Sequence, residues 1–267
     1  SRERIEQALD ALVADETLAC ISLGGRFLVA QPRMHLMETD LAEIFARKQR
    51  ANPHFSSAET TELLTEASSR LNEAQRKALA AAAQHNLVLV SGGAGTGKTH
   101  TISAITKLYE EQELKVVLAA PTGKAAKRIE QVVGREAFTL HRLLGFNGKT
   151  FTHGPEEPIA ADVIIVDEVS MVDVPLAWHL FRAIDFSKTA VVLVGDHNQL
   201  PPVGPGNLLR DLIERQPIPT VVLDQVMRQA GALKENSIAV LRGEVRRTEG
   251  EGEDGRPPWI VVNRLSD

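Results

Sequence analysis

Residues Gly92 to Thr99 read GGAGTGKT and follow, after Ser91, the apolar run Leu87-Val88-Leu89-Val90. The pattern G-x-x-x-x-G-K-[ST] carries meaning only between a strand and a helix. Both are expected here, because Ile102, Ile105 and Leu108 recur at helical spacing just beyond the loop. Glycine lets backbone N–H groups converge on phosphate oxygens, Lys98 can reach the β- and γ-phosphates, and the Thr99 hydroxyl can ligate Mg²⁺. The helix beyond directs its positive dipole end at the same anion. The loop implies binding of ATP or GTP.

The rest of the chain suits such a loop. Four short, continuous, β-branched runs occur at Leu87–Val90, Val116–Ala119, Val163–Val166 and Val191–Val194. Runs of this kind are strands buried on both faces. Helical stretches separate them, as at Leu176, Leu180, Phe181 and Ile184 with Asp173 as N-cap, and Thr220–Leu223 supplies a fifth strand. Strand–helix alternation predicts a parallel α/β sheet flanked by helices.

Before the sheet, Ile5, Ala8, Leu9, Leu12 and Val13 fall at helical spacing. Leu18–Ser22 and Arg26–Ala30 form a hairpin through Gly24-Gly25, and Met37, Leu41, Ile44 and Phe45 mark a second amphipathic helix. Residues 1–50 therefore read as a small α+β, winged-helix-like module, either a packing accessory or a DNA-binding element. Residues 51–70, rich in Ser, Thr, Glu and Ala, read as a linker with a short helix at Glu59–Ala67. Residues 71–245 hold the nucleotide-binding sheet, and 246–267 begin a further segment with a strand at Trp259–Val262.

Composition removes several alternatives. With 43% hydrophobic and 24% charged residues, the 267-residue chain is globular. No apolar run approaches the roughly 18 residues of a membrane span, and no signal-peptide pattern opens the chain. A single cysteine, Cys20, excludes an internal disulfide and a multi-cysteine metal site; it reads as a small buried hydrophobe of a cytoplasmic protein. The eight histidines are scattered, so no zinc site is expected. A net charge of −5 argues against a uniformly basic nucleic-acid binder but leaves room for a local groove.

Carboxylates complete the chemistry. The third run ends in Asp167-Glu168, at the end of a parallel strand where ligands sit. In phosphoryl transfer one acid holds the metal and a second positions or activates water. Asp167 is assigned to Mg²⁺ and Glu168 to the general base. The fourth run leads into VGDHNQLPPVGPG, where Gln199 could bond the γ-phosphate or the attacking water, unless Asp196 to Gln199 is only a polar turn. Arg228, just past the fifth strand, is a candidate to neutralise charge on the γ-phosphate.

With these residues in place the chain resembles the RecD-like superfamily 1 DNA helicases that move 5′→3′. The resemblance rests on LNEAQRKAL (71–79), GGAGTGKT, APTGKAAKRI (120–129), TLHRLLG (139–145), VDEVSMVD (166–173), GDHNQLPPVGPG (195–206) and QVMRQA (225–230), all in the family's order. It implies a RecA-like P-loop NTPase sheet, with Gln75 reading adenine, which favours ATP. Nucleotide binding is then expected at Gln75, Gly92, Gly93, Ala94, Gly95, Thr96, Gly97, Lys98 and Thr99. Catalysis is expected at Lys98, Glu168, Gln199 and Arg228, and Mg²⁺ at Thr99 and Asp167. Thr122, Gly123 and Lys124, with Thr139, His141 and Arg142, match elements that touch single-stranded DNA. A solvated helix face for Lys124, Lys127 and Arg128 is the plain alternative.

The resemblance also implies single-stranded DNA and strand junctions as partners, helicase–nuclease subunits as further partners, and no membrane. Residues 145–160 lie where the family carries a strand-separating β-hairpin pin; Phe146 and Phe151 would be wedge or packing residues, or the segment an ordinary loop. Two positions depart from the family: Ala94 where proline is common, and Met227 where an aromatic residue is common. Nothing after Leu241 matches the later helicase motifs, so the second motor domain is expected to be absent or only begun. The expected activity is Mg-ATP hydrolysis coupled to movement on DNA. The rivals are a non-translocating regulatory or assembly subunit of a repair complex, and a DNA-binding module led by the N-terminal region.

Overall fold

The computed structural model describes residues 2–56, 71–224, 239–240 and 243–244. The chain runs α1 (Arg2–Ala14), β1 (Ala19–Leu23), β2 (Arg26–Ala30), α2 (Pro32–Arg47), α3 (Glu73–Gln84), β3 (Leu87–Gly92) and α4 (Lys98–Glu110). It continues through β4 (Val116–Ala120), α5 (Gly123–Val133), β5 (Ala137–Thr139), α6 (Leu140–Leu143), β6 (Val163–Val166) and a 3₁₀ turn (Val169–Met171). Then follow α7 (Val174–Arg182), β7 (Ala190–Gly195), α8 (Leu208–Arg215) and β8 (Thr220–Leu223).

Six strands form one sheet in the order β5-β4-β6-β7-β3-β8. Every pairing in it is parallel. Alternate residues of each strand point to opposite faces, and both faces are buried. Leu87, Leu89, Ile164, Val166, Val191 and Leu193 enter one core, with side chains of α2, α7 and α8. Val88, Val90, Val163, Ile165, Val192 and Val194 enter the other, with α3, α4 and α5. This is why the runs are continuous rather than alternating. β5 was not expected: its three residues, Ala137-Phe138-Thr139, contain no β-branched run, and only pairing with β4 makes them a strand.

The N-terminal fifty residues form the expected helix, hairpin and helix, but they divide energetically. α2 buries Met37, Leu41 and Phe45 in the core of the large sheet. The Phe45 and Phe181 rings meet edge-on at 4.9 Å, and Trp178 Nε1 donates to Asp40 at 2.8 Å. α1 buries nothing, and Phe27 of the hairpin is 79% exposed. Cys20, expected to be buried, is exposed. Periodicity located these elements but could not say which had a partner to pack on.

The first residues of the expected linker are docked along the lower edge of the sheet. Asn52 donates to the Ala82 carbonyl and to the Tyr109 hydroxyl, both at 2.7 Å, and His54 Nε2 lies 2.9 Å from the Asp162 carbonyl. The short helix expected at 59–67 lies outside the described residues. Residues 145–160 contain no strand, so of the hairpin and the ordinary loop left open there the segment takes the loop. Local turns take its backbone groups instead: Asn147 Oδ1 accepts from the N–H groups of Lys149 and Thr150. Phe146 and Phe151 pack on each other at 4.9 Å and on His141.

Candidate nucleotide cleft and adjoining groove

A parallel sheet puts its C-terminal strand ends on one edge, and helix N-termini gather there. β3, β7 and β6 are neighbours, so the loops after them converge. Gly95 and Gly97 of the loop after β3 take φ of 78° and 86°, the left-handed region that glycine enters without strain. Gly92 admits no side chain: an added Cβ would lie 2.5 Å from Thr96 Oγ1 and 2.9 Å from Leu223 Cβ. No side chain caps the N-terminus of α4, which leaves its first-turn N–H groups to an anion.

Lys98 is held in this loop. Its Nζ donates to the carbonyls of Gly92 at 2.7 Å and Gly93 at 3.0 Å, and pairs with Asp196 Oδ2 at 3.2 Å. Asp196, at the end of β7, is almost fully buried. The same strand-end rule that singled out Asp167 would have singled out Asp196, had the polar turn been read as part of the site.

Asp167 and Glu168 leave β6 into the cleft. Burial pushes the Asp167 carboxyl up to about 6, with the neighbouring Glu168 charge adding to it; the Glu168 N–H, Lys98 and Arg128 oppose it. Glu168 takes φ 56° and ψ 41°, a left-handed conformation that costs a residue with a side chain about 1 kcal/mol or more. Its N–H donates to Asp167 Oδ1 at 2.9 Å. Its own carboxylate accepts from Gln199 Nε2 at 3.1 Å, while Ser170 Oγ donates to Gln199 Oε1 at 3.3 Å. Gln199 thus bridges the ends of β6 and β7.

These groups line one cleft of about 700 Å³. It brings together Gln75, Gly93, Ala94, Gly95, Gly97, Lys98, Thr99, Asp167, Glu168 and Gln199 from the expected set. Gly92 and Thr96 are buried behind it, Thr96 Oγ1 donating to Gly93 O at 2.9 Å. Gln75 also builds a capping box, its Oε1 accepting from the Asn72 N–H at 3.1 Å and Asn72 Oδ1 from the Gln75 N–H at 2.9 Å. Arg228 lies outside the described residues. Arg128 was not expected in the cleft, yet lines it, with Nη1 3.8 Å from Glu168 Oε1. The residues fit a magnesium nucleotide: an uncapped helix start and a lysine for phosphate, and a buried carboxyl at the strand end beside them.

Across Gln199 lies a second depression, a groove of about 940 Å³. Thr122, after β4, and His141, after β5, line it together with Leu200, Pro201, Pro202 and Val203 from the loop after β7. Thr122 and Thr139 are helix N-caps, Thr122 accepting from the Ala125 N–H at 3.3 Å and Thr139 from the Arg142 N–H at 3.2 Å. Gly123 and Lys124 begin α5 in the open. The Arg142 guanidinium lies over the Phe138 ring at 4.7 Å and pairs with Glu136 at 3.3 Å. Among the described residues no three or more His, Cys, Asp or Glu side chains cluster so as to hold a metal ion by themselves, and no helix is long and apolar enough to cross a membrane.

Residues 75–205 match the family model described as "AAA domain". The chain is 48% identical over 160 residues to the ATP-dependent RecD2 DNA helicase of Deinococcus radiodurans, a match covering 60% of this chain and 22% of that protein. It is 39% identical over 168 residues to the RecBCD enzyme subunit RecD of Mycolicibacterium smegmatis, covering 53% and 30%. With the RecBCD enzyme subunit RecD of Haemophilus influenzae the identity is 33% over 166 residues, covering 52% and 26%. The chain therefore spans less than a third of the length of these relatives.

Proposed function

We propose that this chain, similar to the RecD-like superfamily 1 helicases, is the RecA-like motor segment of such a helicase, which hydrolyses Mg-ATP and couples it to movement on single-stranded DNA and duplex unwinding. The observation that carries the reading is the meeting of Lys98, Asp167, Glu168 and Gln199 in one cleft, with Gln199 shared by the groove beside it.

Lys98 exchanges its loop carbonyls and Asp196 for the β- and γ-phosphates, and Gln75 takes the adenine edge through its amide. Thr99 and Asp167 would hold Mg²⁺, which when bound neutralises charge on the phosphate oxygens. Glu168 takes a proton from the attacking water, and its left-handed backbone together with Gln199 Nε2 sets the direction of the carboxylate. Gln199 senses the γ-phosphate end, and its loop also forms the groove wall. Thr122, Gly123 and Lys124, with Thr139, His141 and Arg142, would grip the strand, mostly at phosphates through helix N-termini and basic side chains. Arg228 would complete the charge on the γ-phosphate from the segment after β8. The 145–160 segment, packed through Phe146 and Phe151, meets the groove at Phe151.

Steady-state ATP hydrolysis by the full-length protein, with and without single-stranded DNA, tests this. Wild type should be stimulated by the strand, and Glu168→Gln should lower stimulated turnover by roughly 10²–10⁴-fold. Unchanged turnover in Glu168→Gln would remove the general-base assignment. Nucleotide binding without strand-stimulated turnover would instead favour a non-translocating regulatory subunit.

A further inference from the structure

α5 touches both depressions. Its N-terminal turn opens beside the groove at Thr122, and one turn further its side reaches the cleft at Arg128. Lys124 and Arg128 are four residues apart, on one face of the helix. Ala126 and Ile129 anchor the opposite side in the core. The cleft therefore receives a guanidinium from the same rigid element whose first turn is proposed to hold the strand.

That guanidinium faces the general base. Arg128 Nη1 lies 3.8 Å from Glu168 Oε1, while the other carboxylate oxygen is taken by Gln199. The Glu168 side chain is 14% exposed and that of Arg128 62%. A half-exposed pair at this separation contributes little to stability. It is, however, sensitive to position: a shift of roughly 1 Å in α5 decides whether a charge-assisted hydrogen bond forms. Among the described residues Glu168 is thus held from two directions, by Gln199 from the β7 loop and by Arg128 from α5.

We propose that Arg128 is a positioning residue for Glu168, through which strand binding at the start of α5 adjusts the general base. Strand phosphates drawn to the first turn of α5 shift the helix along its anchored face, and the guanidinium carries that shift to the carboxylate. Gln199 supplies the matching link from the groove's other wall. DNA then accelerates hydrolysis by aligning Glu168, not by improving nucleotide binding. The proposal rests on the helicase reading above.

The test uses full-length Arg128→Ala and Arg128→Lys beside wild type and Glu168→Gln, measuring ATP turnover with and without oligo-dT, and oligo-dT binding without nucleotide by fluorescence anisotropy. In Arg128→Ala the strand-stimulated kcat should fall roughly tenfold, with KM for ATP and the oligo-dT Kd held within about twofold. Arg128→Lys should recover part of the loss. A raised KM with kcat intact would make Arg128 a phosphate ligand and overturn the proposal. A weaker oligo-dT Kd with stimulation intact would make it a plain strand contact, and no change in any quantity a solvated side chain; either overturns it too. If wild type shows no stimulation, the helicase reading itself falls and takes the coupling with it; if Glu168→Gln keeps its turnover, the general-base assignment falls and the positioning role of Arg128 with it.

Discussion

The nucleotide cleft and the groove beside it share Gln199 and one edge of one sheet, but they are made differently. The cleft gathers short segments, each a strand end followed by a loop, whose polar groups are tied to one another: Lys98 to the buried Asp196, and Glu168 to the more exposed Gln199. The groove is walled by Pro201, Pro202, Leu200 and Val203, with Leu200 85% exposed, against Thr122, His141 and Phe151. One depression depends on the placement of individual atoms in a low-dielectric setting. The other depends on shape and on a few solvated charges, so its contacts can be lost one at a time.

The largest effect that would sharpen this contrast comes from the groove's frame rather than its contacts. A Cβ on Gly204 would collide with the Asp173 carboxylate and lie 2.8 Å from Asp173 Cβ, and Asp173 caps α7 by accepting from the Leu176 N–H at 2.9 Å. Gly204→Ala should cost about 2–4 kcal/mol, the sum of overpacking and a lost cap, read by urea denaturation. An unchanged midpoint would show that the PPVGPG loop yields freely and that the groove has no rigid wall.

A smaller effect of opposite sign belongs to the cleft. The folded Asp167 carboxyl titrates near 6, above its ordinary value, because it is buried. Between those two pH values the folded chain holds a proton that the unfolded chain has released, so this group's contribution falls as pH rises through that window. In chelator, Asp167→Asn should therefore stabilise the chain by about 1–3 kcal/mol near pH 8 and by almost nothing near pH 4. Equal effects at both pH values would mean that the carboxyl is not desolvated, and the contrast with the groove would weaken.

The smallest expected change is in strand binding. If Lys124 contacts one phosphate, Lys124→Ala should reduce the log–log salt slope of oligo-dT binding by about 0.7 and leave nucleotide binding alone. An unaltered slope would return Lys124 to a solvated helix face.

Much of the cleft was legible because its residues are local in sequence. GGAGTGKT supplies glycines, lysine and hydroxyl within one loop, and Asp167-Glu168 terminates a run that could only be a buried strand. Asp196 was overlooked although it obeys the same rule, because its neighbours read as a turn. Arg128 could not be found this way. Its neighbours Lys124 and Lys127 make it one of three basic residues on a helix, and only the adjacency of β4 and β6 brings α5 beside Glu168. At 145–160 the sequence left a hairpin and an ordinary loop open: family position suggested the first, while Asn147 and the local turns commit the backbone to the second.

The N-terminal residues draw the same line. Local pattern alone identified α1 and α2, by apolar residues three and four apart, and the hairpin, by the Gly24-Gly25 turn between two short runs. It could not decide that Met37, Leu41 and Phe45 enter the sheet's core while α1 stays exposed and Cys20 meets solvent. By itself the sequence determined the parallel sheet, the phosphate loop and the pair of acids, because each is encoded in contiguous residues. The tertiary structure alone decided which depressions share Gln199, what Arg128 faces and where α2 packs. Those are contacts between distant segments, set by strand order, and no local pattern records them.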